Sequence, residues 1–576
     1  MRSLSSLLVL VLGLLALAVG IGQLTLWASD EMTQARTQQV DEAPLTVISD
    51  GVIGAETGRE ELTIEAEGEY TVALARLVDV EAWVGDAAHV RITGVEEGAG
   101  DEVPLVVSEH VEGDSQVPDP TDSDMWVDTQ SVDGPLDYRW VVPDESGEWA
   151  LLVFRDGADP APAGVMVEIE PPTSTLGLVL VGTGALLILL ALLLFARALG
   201  RRSRQREEVH PEGSDDAEDA VSAEKAEGPE DSEHQAEDDD SPARFSTAGR
   251  HSMALGIVAV LAVSPVAGVG AGATAGDEAS AETATDHSVL MQTQLQRIME
   301  HTAEVVVHGD QEGDLDLLEA RVAGNALEVR ELIYRHREIT ESIVAEPLGT
   351  ETLAAAVTSD VTFPRHAVLI TQHEDAEIPQ VLVLAQEDPR ENYKLTQAMT
   401  MMPGTEFPAI SAEDGGVMPV GLEEDGAHSA PKDAMLRTAD FLDDKDHDFG
   451  TKMQQSPYIE DLHDYQEQIR EAAAEVDVTY TRTLIEQDPT ALRLPDGSVL
   501  AVGSFESTMQ LRPQDDGDAI VFDDPTLAEL ADTASTTSEA DVVNRESVIL
   551  HVPADDADPM VLLGVHDILD QVTILD

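Results

Sequence analysis

Long uncharged segments alternate with charged regions along this chain. The first such segment runs from Leu4 to Trp27 and the second from Leu176 to Ala196. A helix needs roughly 20 predominantly apolar residues to cross a bilayer, so both segments are predicted to be transmembrane helices. The length of the first segment and the aromatic Trp27 near its end favour a retained anchor over a cleaved signal peptide.

A third uncharged segment, Met253 to Gly276, is weaker, because Pro265 and a run of Gly and Ala interrupt its apolar part. Two interpretations fit this segment. It is either a third transmembrane helix or an internal signal-like segment that is cleaved near Ala275. Both interpretations export residues 277–576.

A cluster of arginines directly follows the second apolar segment and sets the orientation of the chain. Such clusters stay on the cytoplasmic side of a membrane. We therefore expect residues 30–172 outside the cell and the N-terminus inside. The cluster consists of Arg197, Arg201, Arg202, Arg204 and Arg206.

Residues 207–245 combine dense acidic charge with few large apolar side chains. Such a composition cannot bury enough surface to fold, so a disordered cytoplasmic linker is predicted. It is either a spacer or, as runs of like charge can be, a docking tail for a partner.

Between about residues 42 and 172, apolar side chains recur at every second position, and Gly, Pro and Asp separate the runs. This pattern predicts an antiparallel β-sandwich in which one face of each strand is buried. The alternating residues include Leu62 and Ile64; Tyr70, Val72 and Leu74; Val80, Ala82 and Val84; and Trp149, Leu151 and Val153.

Four tryptophans, Trp83, Trp126, Trp140 and Trp149, lie in this region, and the surroundings of three of them indicate their positions. Trp140 and Trp149 share strand faces with aliphatic residues, so we expect them in the core. Trp126 lies in the polar stretch DSDMWVD and is predicted to be exposed. It is therefore the candidate ligand contact of this region.

The second exported region mixes helical and strand patterns. Apolar stripes at helical spacing cover 291–305, 315–343 and 459–476, and apolar runs typical of strands cover 366–371, 380–385, 498–507 and 548–552. A faint internal repeat relates RHAVLITQHEDAEIPQVLVLAQED, from Arg365, to RESVILHVPADDADPMVLLGVHD, from Arg545. We interpret the region as two tandem α+β units of the cone-shaped NTF2-like type.

These patterns together predict a multi-domain membrane protein. Its regions are transmembrane helix 1 (1–29), a β-sandwich (30–172), transmembrane helix 2 (173–199), an acidic linker (200–250), the third apolar segment (251–276), α+β unit 1 (285–410), a linker (411–432) and α+β unit 2 (433–576).

Two stretches of the second exported region resemble a family of uncharacterised actinobacterial membrane proteins whose exported part carries a domain of unknown function. The stretches are ARVAGNALEVRELIY, with Arg321, Gly324 and Arg330, and FPRHAVLIT, which begins at Phe363. The resemblance implies a cell-envelope setting in a Gram-positive bacterium, and it implies no activity.

Composition narrows the partners. The chain of 576 residues has 113 acidic and 32 basic residues and a net charge of −81, which repels phosphate backbones, so we expect no nucleic-acid partner. It has no cysteine, which excludes disulfides, thiolate catalysis and a lipoprotein-type acylated anchor. The membrane, through apolar helices, and envelope proteins or glycans are the expected partners.

The common catalytic motifs are absent from the sequence, and no catalytic residue and no cofactor is predicted. Asp444, Asp446 and Asp448 alternate as in a calcium loop and are weak metal candidates. Phe449 stands where such a loop needs glycine, and Gln455 stands where it needs a bidentate glutamate, so a solvated acidic loop is the competing interpretation.

The leading functional hypothesis is a non-enzymatic, membrane-anchored scaffold or binding protein of the cell envelope. A transmembrane signal relay, with an external sensor and docking on the acidic linker, is the first alternative. The second is an enzyme that works on envelope material in an NTF2-like pocket, which would require a buried acid, base or histidine with a shifted pKa.

Overall fold

A computed structural model describes most of residues 33–169 and 288–575 and two apolar helices. The described residues are 2–25, 33–38, 42–52, 61–96, 103–141, 147–169, 175–206, 288–340, 343–359, 361–408, 410, 416–424, 429–486, 489–515 and 517–575. The acidic linker and the third apolar segment, with its cleavage alternative near Ala275, lie outside these residues.

Helices occur in both regions and in the apolar segments. They are α1 (Arg2–Thr25), α2 (Leu77–Val84), α3 (Thr175–Arg206), α4 (Gln292–Glu312), α5 (Gly324–Ile339), α6 (Pro431–Asp443), α7 (Pro457–Ala472) and α8 (Pro525–Leu530). A short 3₁₀ helix, Asp448–Lys452, lies between α6 and α7.

The strands fall into an N-terminal and a C-terminal set. The first set is β1 (Thr33–Thr37), β2 (Leu45–Ser49), β3 (Glu61–Glu65), β4 (Glu69–Arg76), β5 (His89–Glu96), β6 (Leu105–Val111), β7 (Asp128–Asp133), β8 (Leu136–Arg139), β9 (Trp149–Phe154) and β10 (Gly164–Ile169). The second set is β11 (Glu351–Val357), β12 (Arg365–Gln372), β13 (Gln380–Gln386), β14 (Lys394–Met401), β15 (Met418–Pro419), β16 (Val476–Leu484), β17 (Thr490–Arg493), β18 (Val499–Pro513), β19 (Ile520–Val521), β20 (Ser535–Thr536), β21 (Ala540–Val552) and β22 (Val561–Ile574).

The chain forms two compact units. One contains α1 and α3, and the other contains residues 29–172 together with 282–576. In the first unit, α1 and α3 pack so closely that a methyl group added at Gly184 would lie 2.8 Å from the carbonyl oxygen of Gly13. Small residues permit this approach of two helix backbones, as in membrane helix pairs.

One described segment, Leu8–Thr25 in α1, is long and apolar enough to cross a membrane. The apolar part of α3 whose side chains are described, Leu178–Leu193, is shorter than that criterion.

The N-terminal region is rich in β-structure, as its alternating pattern predicts. Its ten strands are hydrogen-bonded in one series, in the order β7-β4-β9-β2-β5-β6-β1-β10-β3-β8. Two neighbouring pairs, β1/β6 and β2/β5, are parallel, so the sheet is not wholly antiparallel as predicted. Side chains from both halves of the series meet in one core, among them Ile48, Val72 and Leu151 with Ile64 and Val167. The sheet therefore curls around its own apolar face.

The strand predicted at Val80, Ala82 and Val84 is wrong, because this stretch forms helix α2. Val80, Trp83 and Val84 also fit a helical spacing, and over so short a run the two periods cannot be separated. The three side chains are buried against the outer face of β2, β4 and β9. Tertiary packing therefore selects the helix.

The C-terminal region has the predicted α+β content. Its first part carries strands β11–β14 and its second part carries strands β15–β22, and the two parts share one sheet. The strand order is β11-β12-β13-β14-β22-β21-β18-β17-β15, and β16 also pairs with β18. The parts join where Thr400 and Met401 of β14 pair with Val565 and Gly564 of β22. The faces of both parts that point away from their helices meet in a common apolar core, with Val368 and Val383 on one side and Leu500 and Ile549 on the other.

Each part carries its own helices. Leu295, Ile298 and Met299 of α4 pack on β12–β14, as the apolar stripe predicts. Met435 and Leu442 of α6 pack on β18, β21 and β22. The sequence did not predict α6, and the stretch expected to be a linker includes the short strand β15.

The two members of the internal repeat are both antiparallel hairpins. Arg365 pairs with Gln386 in the β12–β13 hairpin, and His551 pairs with Val561 in the β21–β22 hairpin. The strand, acidic turn and strand read from the sequence are thus present in both members.

We expect Gly184→Leu to push α1 and α3 apart, because the larger side chain would enter the space that the backbone of α1 occupies. Spin labels on cysteines introduced at Leu12 and Leu192, which are exposed, would report the change, since the chain has no cysteine of its own. The mean label distance should increase by about 1–2 Å. The matched control is Gly182→Leu, because a side chain added at Gly182 meets nothing within 4 Å. Equal distances in both variants would contradict the packing.

Candidate functional site

The N-terminal region, strands β1–β10 with helix α2, is called the β domain below. It is joined to the C-terminal region through a buried ion pair. Asp79 of α2 lies 2.8 Å from the Nη2 atom of Arg365, the first residue of β12, and both side chains are almost fully buried. The guanidinium also stacks over the Phe363 ring, 4.4 Å from its centroid. Burial raises the pKa of the Asp79 carboxyl, although Arg365 acts in the opposite direction.

A second buried pair reinforces the interface. The Asp124 carboxylate accepts hydrogen bonds from Arg321 Nη1, at 2.5 Å, and from the backbone nitrogen of Tyr393, at 2.9 Å. The backbone nitrogen of Asp124 donates to Asn392 Oδ1. Through these bonds a single loop residue of the β domain contacts two segments of the C-terminal region.

Further donors from the C-terminal region bind backbone carbonyls of the β domain. Arg390 donates to the Trp83 oxygen at 2.9 Å and to the Val84 oxygen at 2.7 Å. Gln294 of α4 donates to the Met125 oxygen at 3.1 Å. The interface is therefore polar as well as apolar, and donors from both α4 and the β13–β14 loop contribute to it.

The exposure predicted for Trp126 is wrong. Its side chain is completely buried, its ring packs 5.9 Å from that of Trp83, and its Nε1 donates to the carbonyl of Pro120. The polar residues around Trp126 suggested an exposed loop, but the Asp124 carboxylate is buried and is neutralised by Arg321 across the interface. A ligand contact at Trp126 stays a prediction, and it would require this interface to open.

A solvent-open pocket of about 480 Å³ lies mainly in the second α+β part, where α7, α8 and the strands β16, β18, β21 and β22 form most of its wall. Helix α5 of the first part contributes His336 to the wall. Its size suits a small molecule. Tyrosines and aliphatic residues form much of its wall. The polar residues on which its chemistry depends are Tyr458, Tyr480, Arg482, Asn544, Glu546 and Asp567.

Arg482 is the centre of a charge network beside this pocket. Its Nε lies 2.6 Å from Glu546 Oε2 and its Nη1 lies 2.6 Å from Asp443 Oδ1, and Arg482 and Glu546 are nearly inaccessible. Burial alone would lower the pKa of Arg482, but the two carboxylates outweigh it and raise this pKa. Tyr458 completes the network by donating its hydroxyl to Glu546 Oε1 at 3.3 Å.

Asp567 of β22 lies in the same pocket and is not paired with a cation. Asn544 donates to its two oxygens at 3.1 and 2.8 Å. The side chain still contacts water, but the concave walls displace enough solvent that desolvation, followed by the charge of Glu546, raises its pKa to about 6. This carboxylate is therefore available to a ligand.

Two polar atoms at the pocket have no hydrogen-bond partner among the described residues. They are Nε2 of His336, a side chain only 3% exposed, and the hydroxyl oxygen of Tyr480. Burial, together with the charge of Arg335, lowers the pKa of His336, which favours the neutral imidazole. A buried polar group without a partner is costly, and a bound ligand would relieve that cost.

A neighbouring pocket of about 390 Å³ lies under α5, between β14 of the first part and β22 of the second, and Asp567 also lines it. Its floor is polar, but the main groups are satisfied internally. Asn325 Nδ2 donates at 2.7 Å to both Gln397 and Ser547, and Arg545 donates to the Asn325 oxygen at 3.1 Å. These bonds tie α5 to both parts of the sheet, which indicates a structural role.

The weak metal candidates Asp444, Asp446 and Asp448 follow α6. In the part of the chain that the structure describes, no group of three or more potential ligands that could hold a metal ion is found. The Asp444 carboxylate instead accepts a hydrogen bond from the backbone nitrogen of Asp446 at 3.0 Å, which closes a turn. The competing interpretation, a solvated acidic loop, fits this arrangement.

The C-terminal region as described above coincides with a known but functionally unassigned domain. Residues 289–571 match the family DUF8094, described as a domain of unknown function. The match is consistent with the uncharacterised domain that the sequence resembles in this region. No curated protein and no solved structure matches the chain.

Two of the arginines in the stretches that carry the resemblance lie at the interface with the β domain. Arg321 pairs with Asp124, and Arg365 pairs with Asp79. Arg330 instead pairs with Asp310 inside the DUF8094 region. The features that resemble the family are thus structural in this chain, and they lie outside the pocket of the second part.

The sequence did not reveal the pocket residues. Tyr458, Arg482, Glu546 and Asp567 come from four separate segments, and carboxylates are so numerous that none is distinctive. A usable signal was Arg482, a basic residue in the strand pattern VDVTYTRTL of a chain with 32 basic residues.

We expect Arg482→Met to lower the free energy of unfolding by about 3–5 kcal/mol, because it leaves Glu546 and Asp443 buried without a counter-charge. Urea unfolding of the purified full-length protein would measure the loss. The matched control is Arg493→Met, which breaks the exposed pair with Glu424 and should lower the free energy of unfolding far less, because solvent screens that pair. Similar losses in both variants would contradict the network's role.

Asp567 should make stability depend on pH. Its pKa of about 6 lies above the ordinary value of 3.8, so the folded protein holds this proton more tightly than the unfolded chain. Stability from this group is present at low pH and is lost as the pH rises through about 4 to 6. Asp567→Asn, which cannot ionise, should therefore gain stability relative to the wild type as the pH rises. Asp558→Asn, an exposed turn residue, is the control, and a difference between the wild type and Asp567→Asn that does not vary with pH would refute the shift.

Proposed function

We propose that this chain is a non-enzymatic, membrane-anchored binding protein of the cell envelope, in which the pocket of the second α+β part receives a small ligand. The observation that carries the proposal is that pocket, which is open and of ligand size. It is lined by Asp567 and by His336, whose Nε2 atom has no hydrogen-bond partner among the described residues. In this proposal the β domain is a scaffold that holds the DUF8094 region through the pairs of Asp79 and Asp124.

The membrane part of the proposal is multi-pass. It is supported by the apolar segment in α1, by the glycine contact between α1 and α3, and by the arginines that end α3. By the positive-inside rule residues 30–172 would lie outside, and either interpretation of the third apolar segment would bring the C-terminal region to the same side. Their joint interface is consistent with that arrangement. The resemblance noted in the sequence supports an actinobacterial envelope as the setting.

We also propose that the two α+β parts are NTF2-like. Each has helices on one face of a bent sheet, and each has a pocket between a helix and the sheet. The fold type by itself assigns no activity, because function depends on the site it carries.

One observation favours an enzyme as the second candidate. Two carboxylates, Glu546 and Asp567, share one pocket, and Asp567 has a pKa near the value suited to proton transfer at neutral pH. Glu546, however, is saturated by Arg482 and Tyr458, which leaves one available acid or base. The signal relay stays a prediction, since the acidic linker lies outside the described residues.

Photocrosslinking in cells tests the binding proposal. A photoreactive residue in place of Tyr465, an exposed part of the pocket wall, should yield a small-molecule, glycan or peptide adduct on the exported domain. The same residue in place of Leu353, exposed on β11 and away from both pockets, should not. Equal yields at the two positions would overturn the binding site. Turnover of an envelope glycan or peptide by the purified protein would replace the binding function with the enzyme.

A further inference from the structure

The charges around the pocket of the second part are unbalanced. One guanidinium, Arg482, and three carboxylates, Asp524, Glu546 and Asp567, line the pocket. Arg482 is also neutralised from outside the pocket wall by Asp443, at 2.6 Å. The field that a ligand meets is therefore negative.

The three carboxylates are not equivalent. Glu546 accepts from Arg482 and Tyr458, and Asp524 caps α8 by accepting from the backbone nitrogens of Thr526 and Leu527. Among the residues that the structure describes, Asp567 accepts only from Asn544, a neutral donor. It is the carboxylate with unused capacity for a charge-assisted hydrogen bond.

The rest of the wall is suited to an apolar body next to a positive charge. Tyr458, Tyr465 and Tyr480 supply aromatic surface, and Leu462 and Met509 supply aliphatic surface. Aromatic faces attract cations as well as apolar groups. The neutral His336 can accept a hydrogen bond from an N–H group of the ligand.

From this combination we infer that the pocket binds a small organic cation, an amine with an apolar or aromatic body, whose ammonium pairs with Asp567. This inference rests on the proposed binding function and specifies its ligand class. Anionic ligands are disfavoured because Arg482 has no charge left to offer. Neutral ligands would leave the Asp567 carboxylate without a counter-charge.

The test uses the purified full-length protein in lipid nanodiscs and three probes with the same aromatic body: 2-phenylethylamine, 2-phenylethanol and phenylacetate. Calorimetry should show that the amine binds at least about tenfold more tightly than the other two, which is the effect of one charge-assisted contact. Asp567→Asn should weaken amine binding about tenfold. Asp558→Asn, the same charge change in the exposed β21–β22 turn, should leave it unchanged and corrects for partition into lipid.

A second variant protects the test from a folding defect. Tyr465 is exposed and no hydrogen bond or ion pair is described for it, so Tyr465→Leu should fold normally and still weaken amine binding severalfold through loss of aromatic surface. Tighter binding of the alcohol or of phenylacetate, or unchanged amine binding in Asp567→Asn, would overturn the cation inference and leave the binding function standing. Absence of binding by all three probes also overturns the inference, and the crosslinking yield at Tyr465 then decides the binding function independently.

Discussion

Two buried arginine–aspartate pairs hold the β domain and the DUF8094 region together. They connect segments that are far apart in the chain, since Asp124 and Arg321 are 197 positions apart. A buried charge without its partner costs several kcal/mol, so each pair is stable only while the β domain and the DUF8094 region remain in contact. In a chain without cysteine, such pairs and ordinary packing do what disulfides do in many exported proteins.

The same arrangement recurs around the pocket, where Arg482 holds α6, β16 and β21 together through Asp443 and Glu546. Because that arginine is fully used in holding the walls, it does not attract anions. In the proposed binding pocket, the nearby Asp567 has no cationic partner among the described residues and can pair with a cationic ligand. The ion network of Arg482 thus determines the charge of the open pocket beside it. The proposed preference of the pocket for a cationic ligand follows from Asp567, the carboxylate that the network leaves without a cationic partner.

Local patterns in the sequence predicted local structure well. The stripe in α4 follows from a helical period, and the strands of the two repeated hairpins follow from short apolar runs with β-branched residues on either side of a polar turn. Helix α2 was missed because the short stretch from Val80 to Val84 fits both the strand period of two residues and the helical spacing. Helix α6 was missed because it begins with a proline in an acidic stretch that resembles a linker. Trp126, the pocket and the interface could not be predicted, since each depends on partners brought together by tertiary folding. Among 113 acidic residues, nothing local distinguishes Asp79 or Asp567 from a solvated surface carboxylate.

The position of Arg321 and Arg365 also has an evolutionary consequence. A gene that kept the DUF8094 region but lost the β domain would encode a protein in which Arg321 and Arg365 have lost their carboxylate partners and lie on an exposed apolar surface. Selection would act against that product until both arginines were replaced. The two coding regions should therefore be inherited, duplicated or lost together, and Asp79 and Asp124 should change in step with their arginines among related genes.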